Sequence, residues 1–502
     1  MQSRISRKTI PKQEEVMKLI EKIQKTPQGW DTKPKERMSY YLYFCGQNAI
    51  YNLVSSFLST YLMFSFASEA ETGIDPLALT AGIMLIVKVW DAVNDAIFGV
   101  IFDKIKFKSG KKFVPWLKIS LVFIPLTTIL LFAIPTSLST NAKLAWLAVS
   151  YILWDTAYTL CDVPIFGIIT AMSENLDERN SILSYKSIWG GVGSGVALIL
   201  ATVLVGEQIH LNYTVVAIIC AVFALVTMAP ACFRLEERYV GSQDEEFTLK
   251  KMFSYLVKNK YLLLYYLGYF FYSAANVSAA LNLFVSFYLF NNSQLSLVVQ
   301  ALSLVPSAIF AFLVPTFIRK MDKMKLFRLC MILSVVLSVV MWIVGYKSFI
   351  VFAILSAVRS VPVSIVGIML FMFTPDCAEY GLYKTGIEAK GITFSIQTFM
   401  VKLTAAVSSA LPLLILGLKS TGWVSVAVEN FEQLASSGIT QTPHALNVLW
   451  FLYVMLPAIG WIVATVIWKF YNLTDKDVQL MADCNTGKIS REEAESKLSR
   501  KF

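Results

Sequence analysis

The sequence predicts an all-α membrane protein of twelve transmembrane helices in two pseudo-symmetric six-helix bundles, and three observations predict it. First, 56% of the 502 residues are hydrophobic and only 16% are charged, against about 25% charged in soluble globular proteins. Second, apolar runs of roughly 20 residues, the length a spanning helix needs, recur near residues 53, 89, 125, 157, 195, 221, 275, 306, 336, 362, 403 and 457. These runs are continuous rather than alternating, which excludes a membrane β-barrel. Third, the polar stretch RLEERYVGSQDEEFTLKKMFSYLVKNK divides the runs six and six.

The formal charge of +10 could indicate a nucleic-acid partner, so the placement of the 44 Lys and Arg residues decides its meaning. Most of them lie in the two tails and in every second loop, while the alternate loops are nearly devoid of them. Cationic side chains resist translocation, so this asymmetry places both termini in the cytoplasm and explains the charge without nucleic acid. A multi-pass protein of the cell (plasma) membrane is expected, with membrane lipid around it and no obligate protein partner evident.

The elements follow in order. Residues 1–39 form a cytoplasmic segment in which Val16, Leu19, Ile20 and Ile23, after Pro11, predict a short amphipathic helix. Residues 40–233 form the first bundle, 234–260 the central cytoplasmic loop, 261–470 the second bundle, and 471–502 a cytoplasmic tail. The tail reads as two short helices, the second with a capping box in Ser490 and Glu493. No signal peptide is expected at the N-terminus. Basic turns after the second and eighth spans, GVIFDKIKFKSGKKF and PTFIRKMDKMKLF, echo one another as a repeat would. Bundles repeated in this way hold a ligand between the halves near mid-membrane.

Seven dispersed cysteines and two histidines supply neither paired spacing nor a metal cluster. No disulfide, zinc site, cofactor or enzymatic activity is expected. Among aromatics, Tyr41, Tyr43, Tyr51, Phe166 and Trp189 are candidates for stacking on a sugar ring. The run GGVGSG at 190–195 lacks the preceding strand of a phosphate loop, and Gly191 with Gly195 reads as a helix-packing face.

Charges at mid-membrane depth are costly, at roughly 2.5 to 3.5 kcal/mol each, and mark function. Seven fall deep: Lys88, Asp91 and Asp95 in the second span, Asp155 and Asp162 in the fourth, Arg359 in the tenth and Lys402 in the eleventh. Helical spacing puts Lys88, Asp91 and Asp95 on one face, and Asp155 and Asp162 on another beside Tyr158 and Thr159. Four carboxylates against three cations leave one negative charge for a monovalent ion to balance. Asp91, Asp95, the Asn94 amide and the Thr159 hydroxyl offer hard oxygen ligands suited to sodium or lithium, and a proton shared by neighbouring carboxylates is the alternative. A buried pair such as Asp91 with Lys402 that only holds helices together is the structural alternative. Arg359 reads as a gate pair or as a helix contact. Asp103, Asp376 and Glu379 sit near cytoplasmic helix ends, in solvated or capping positions.

Four segments carry a resemblance: KVWDAVNDAIFGVIFDKIKFKSGKKFVPWL in the second span, YILWDTAYTLCDVP in the fourth, SENLDERNSILSYKSIWGGVG after it, and TPDCAEYGLYKTGIEAKGITFSIQTFMVK across the tenth and eleventh. They resemble the glycoside–pentoside–hexuronide cation symporters, a branch of the major facilitator superfamily that includes the melibiose/sodium symporter. The resemblance implies the major facilitator fold and a cation site at Asp91, Asn94, Asp95 and Thr159. It makes Lys402 the residue that contacts that site; Lys88, placed on the same face by helical spacing, is a second candidate coupling residue. Asp162 and Tyr158 match sugar-contacting positions. Asn48, Gln47, Phe166 and Lys186 stand at or near other sugar positions, where the melibiose symporter has aspartate, lysine, tryptophan and arginine. Asp155 replaces a glycine there, and Ala96 a proline.

The expected function is secondary active transport: symport of a sugar or glycoside with Na+ or H+ by alternating access. A sodium-dependent carrier of a lipid or amphiphile with the same fold is the alternative. A non-transporting receptor or scaffold is the alternative from another class.

Overall fold

The computed structural model describes residues 30–66, 76–105, 107–173, 175–206, 209–239, 256–318, 320–386 and 390–500, except some side chains within helices. The expected amphipathic helix before residue 30 and most of the central loop lie outside them. Every regular element among the described residues is helical.

Six helices form the first half: α1 (Pro34–Ser65), α2 (Pro76–Lys104), α3 (Val114–Leu131), α4 (Thr140–Met172), α5 (Leu176–Val205) and α6 (Tyr213–Arg234). The second half contains α7 (Lys260–Ala274), α8 (Ser278–Phe290), α9 (Leu295–Ile318), α10 (Lys323–Val344), α11 (Phe349–Leu370), α12 (Phe373–Thr385) and α13 (Lys390–Leu416). After α14 (Phe431–Ser436), a short helix in the loop, α15 (Pro443–Trp468) completes it. The tail forms α16 (Asp475–Asn485) and α17 (Arg491–Lys497). Pairing α7 with α8 and α11 with α12 gives twelve passes, and among the described residues nine meet both the length and the hydropathy of a membrane span.

The interruptions in the seventh and tenth passes have local causes. In the tenth, Pro375 has no N–H to offer the Phe371 carbonyl, so the helix restarts and places Pro375 in its first turn, where donors are unpaired anyway. In the seventh, the chain turns at Ala275–Val277, next to a cavity described below. Non-helical backbone at membrane depth is tolerated where it lines such a space.

The two halves repeat one packing scheme. In the first, α1 packs on α5 and α6, α4 on α2 and α3, and α3 on α6. In the second, α7 packs on α13 and α15, α11 on α9 and α10, and α10 on α15. These are the same pairs displaced by six passes. Between the halves, α2 lies along α13 and α1 touches α8 and α13.

Glycines set the closest helix approaches. A methyl group on Gly193 would overlap the Cys45 carbonyl oxygen of α1, and one on Gly46 would come within 2.9 Å of the Ala224 backbone of α6. The expected face of Gly191 and Gly195 is therefore corrected. A methyl group on either would meet no neighbouring element within 4 Å, and the buried stripe of α5 runs through Gly190, Gly193 and Ala197, rotated by about one residue.

All hydrogen bonds, ion pairs and ring contacts described between the halves lie from mid-depth to the face opposite the termini. There Ser59 Oγ donates to the Ser409 carbonyl at 2.9 Å, Phe64 packs on Phe284 and Phe431, and His210 meets Glu432 at 3.0 Å. One apolar core crosses both halves at that face, whereas a separate core fills the second half toward the terminal face. The two halves are thus closed against each other at the face opposite the termini.

On the terminal face, residues 235–239 belong to the first half rather than to the central loop. Glu237 accepts from the Lys112, Phe113 and Val114 amides at 2.6 to 2.9 Å, at the N-terminus of α3 where a carboxylate is favoured. Arg238 grips Glu36 of α1 with two bonds of 2.8 and 2.9 Å. The tail packs on α12, with Asn485 donating to Glu379 at 2.9 Å. Lys323 bridges Asp376 at 2.6 Å and Asp475 at 3.2 Å, so Asp376 is paired rather than solvated. Ser490 accepts from the Glu493 amide at 3.1 Å, which is the serine half of the expected capping box. The side chain of Asp103 is outside the described residues.

Candidate functional site

Two neighbouring centres share α4. The first is carboxylate-rich and buried. Asp91 and Asn94, less than one turn apart on α2, are 4% and 1% exposed. Asp155 and Thr159, one turn apart on α4, are as deeply buried. The Asn94 amide donates to Thr159 Oγ1 at 2.9 Å, and that hydroxyl donates to the Asp155 carbonyl at 3.3 Å. From α13, Lys402 reaches Asp91 Oδ1 at 3.3 Å and ties the two halves together at mid-depth. Lys88 and Asp95 occupy the same stripe of α2 by helical register, but their side chains are outside the described residues.

The second centre is a cavity of about 340 Å³, within the size range of small-ligand sites, built by α1, α4 and α5. Six of the seven residues expected to bind substrate line it: Gln47, Asn48, Tyr158, Asp162, Phe166 and Lys186. Asp155 does not line it, and its backbone carbonyl is what meets Thr159 of the first centre. Gln47 donates to Asp162 Oδ1 at 2.8 Å, and the Gln47 amide oxygen is buried with no hydrogen-bond partner. The Lys186 ammonium lies over the rings of Phe166 and Phe44, 3.9 and 4.5 Å from their centroids. Tyr158 is stacked on Trp154 and faces Tyr51. The wall thus alternates acceptors, donors and ring faces, the set that polyhydroxylated rings require.

Sequence reasoning missed five lining residues: Phe44, Ser187, Gly190, Gly191 and Ser194. Part of their signal was present as helical spacing, because Phe44 lies one turn before Asn48, and Gly190, Gly191 and Ser194 lie one to two turns beyond Lys186; Ser187 is simply the next residue after Lys186. Among the proposed stacking residues only Tyr51 and Phe166 reach the cavity. Tyr43 is core, its hydroxyl 3.3 Å from Ser120, and Tyr41 packs on Tyr185. Arg359 stands elsewhere, at a second cavity in the other half.

Residues 42–475 match the family model described as MFS/sugar transport protein. The chain belongs to this family. Within it, the curated relatives place the chain among the glycoside–pentoside–hexuronide symporters of the major facilitator superfamily. An uncharacterized symporter of Bacillus subtilis, YjmB, is 28% identical over 463 residues, covering 89% of this chain and 95% of that protein. The isoprimeverose transporter of Lactiplantibacillus pentosus is 24% identical, covering 89% and 90%. The glucuronide carrier protein homolog of Escherichia coli is also 24% identical, covering 80% and 85%. Among solved structures, a mutant of the nucleoside transporter NupG superposes with a TM-score of 0.58 at 13% identity, covering 86% of this chain and 100% of that one. A bacterial homolog of the lysosomal transporter Spinster, solved inward-facing, gives 0.56 at 11%, covering 87% and 95%. At such identities the likeness concerns fold alone. This major facilitator protein is a multi-pass membrane transporter and not an enzyme.

Proposed function

We propose that this transporter carries a sugar or glycoside together with a monovalent cation, Na+ or H+, by alternating access, with both termini in the cytoplasm. The observation that carries the reading is the junction on α4. Thr159, bonded to Asn94 of the carboxylate centre, stands next to Tyr158 and three residues from Asp162 of the cavity. A cation at Asp91, Asn94 and Thr159 competes with the Lys402 ammonium for Asp91 and fixes the hydroxyl of Thr159. Either change is passed directly to the α4 face that meets the sugar. Because Lys402 belongs to the other half, exchanging its contact for an ion also alters the grip between halves.

The charges support this. Arg359 lines a different cavity and does not offset the acidic cluster, so the described cations near Asp91, Asp155 and Asp162 are Lys402 and Lys186. One charge moving down about 100 mV releases about 2.3 kcal/mol, enough for roughly fifty-fold accumulation of a neutral sugar.

The names of the relatives, an isoprimeverose transporter and a glucuronide carrier homolog among them, agree with a sugar as cargo. An amphiphile carrier would need an apolar cavity at the centre. The greasy groove of this chain, lined by residues such as Phe310, Leu333 and Ile354, lies on α9, α10 and α11 and shares no residue with the α4 junction.

Coupling is reciprocal, since ion and sugar raise each other's affinity by one factor. Equilibrium binding of a sugar panel to the purified protein, with Na+ present, with Na+ replaced by choline, and across pH, tests it. Affinity that rises with one of the two cations is expected. Sugar affinity indifferent to both refutes coupling.

A further inference from the structure

We infer that the apolar groove between α9 and α10 is a binding site for an anionic phospholipid, whose acyl chains lie in the groove and whose headgroup meets Lys320 and Lys325 at its mouth. The inference goes beyond the transport reading and does not depend on the cargo.

The groove follows from how three helices pack. α9 and α10 are consecutive and joined by a short turn, yet they scarcely touch; each packs instead on α11, which forms the floor. The space left between them is about 720 Å³. Its walls are almost wholly apolar, with Phe310 and Phe317 from α9, Leu329 and Leu333 from α10, and Val358 from α11. Ala357 keeps the floor low. Leu329, Leu333 and Val358 are about half exposed, so the chain leaves this surface for another apolar molecule to fill.

The mouth supplies the charge. Met321 and Leu326 line the groove at the terminal face, and both belong to the basic turn PTFIRKMDKMKLF. Asp322 caps α10 and accepts from the Met324 and Asp475 amides at 3.0 and 3.1 Å. Lys323 is held by Asp376 and Asp475. Lys320 and Lys325 are exposed instead, and neither joins an ion pair among the described residues. Lys320 precedes Met321, and Lys325 lies one turn before Leu329 on the groove side of α10. A lysine stem can lie along apolar surface while its ammonium reaches a phosphate.

Depth selects the occupant. On α10 the lining runs from Leu326 to Leu337, roughly 16 Å along the helix and half of a hydrocarbon core about 30 Å thick. The groove therefore serves one leaflet, the one at the terminal face. A spanning helix from a second copy would need a seat through the whole core. With both termini in the cytoplasm this is the cytoplasmic leaflet, where anionic lipids concentrate. A zwitterionic lipid would bring its own cation to the two lysines.

Native mass spectrometry of the purified full chain tests this, after incubation in neutral detergent with equal amounts of dioleoyl phosphatidylglycerol and dioleoyl phosphatidylcholine. Wild type should retain the anionic lipid over the zwitterionic one by about fivefold or more. Lys320→Gln/Lys325→Gln should bring that ratio close to one, and Ala357→Leu, which raises the floor, should lower retention of both lipids. Lys108→Gln/Lys111→Gln, which removes the same charge from the turn between α2 and α3, should leave the ratio unchanged. Both lysine variants should melt as wild type does in detergent alone, which separates lost binding from lost folding. Equal retention of the two lipids by wild type, a ratio untouched by Lys320→Gln/Lys325→Gln, or an equal fall in Lys108→Gln/Lys111→Gln overturns the site. So does a dimer that Ala357→Leu dissociates while lipid retention persists. All of these readouts are independent of uptake.

Discussion

Gln47 and Asp162 illustrate how much single residues determine in a cavity of this size. Gln47 donates to Asp162 Oδ1 at 2.8 Å, while its own amide oxygen is a buried acceptor lacking a partner. Separate sugar hydroxyls donating to the Gln47 oxygen and to the Asp162 carboxylate would engage both groups. Asp162→Asn should therefore raise the KM for sugar uptake at least tenfold, about 1.4 kcal/mol, with a smaller change in kcat. An unchanged KM would remove Asp162 from the sugar site. Glu178 predicts a different effect, on stability. Burial pushes its carboxyl up, but hydrogen bonds from Ser173, Thr32 and the amides of Asp31 and Thr32 outweigh it and hold the group below the usual carboxylate range. Its folded value is depressed, so its stabilisation is complete above the ordinary carboxylate range and is lost as pH falls through the depressed value. Glu178→Gln should cost about 2 kcal/mol at neutral pH, and its melting temperature should fall less on acidification than that of wild type. A parallel fall in both proteins would contradict this.

Elements were legible in sequence wherever composition alone specifies them. Twelve passes, the six-and-six division and the two tail helices follow from run length and charge, because lipid forces every spanning segment to satisfy its own backbone. Three features were not legible. The turn at Ala275–Val277 contains no proline or glycine, so the apolar run gave no sign of it. The rotation of the α5 glycine face needed the position of Cys45 on α1, which is a tertiary fact. Arg359 looked like one cation among the deep charges, and only packing assigned it to a separate cavity. The chemistry of the α2 and α4 faces was readable because charge in lipid is rare, whereas neutral lining residues such as Phe44 and Ser187 resemble ordinary helix surface. At this scale, Gly193→Ala should separate α1 from α5 and lower the melting temperature by several degrees, since overpacking costs about 1 to 3 kcal/mol. Gly191→Ala, with open space around it, should leave that temperature unchanged.

Across the whole molecule, the halves share a core at one face and part toward the other. Alternating access requires the shared contacts to break and re-form in each cycle. Ser59 and Ser409, joined by the 2.9 Å bond at the closed face, report on that motion. A Ser59→Cys/Ser409→Cys variant treated with a short bifunctional thiol reagent should lose uptake, and each single variant should keep it; uptake persisting after demonstrated cross-linking would rule out opening there. The central claim is that the Asp91 centre converts an ion gradient into sugar accumulation. Gradient-driven uptake in proteoliposomes tests it most directly, with an inward gradient of Na+ or of protons imposed on wild type and on Asp91→Asn. Wild type should accumulate sugar beyond equilibrium under one of these gradients and lose it when an ionophore collapses that gradient, and Asp91→Asn should only equilibrate. Uptake by wild type that never exceeds equilibrium, or undiminished accumulation by Asp91→Asn, would contradict the account.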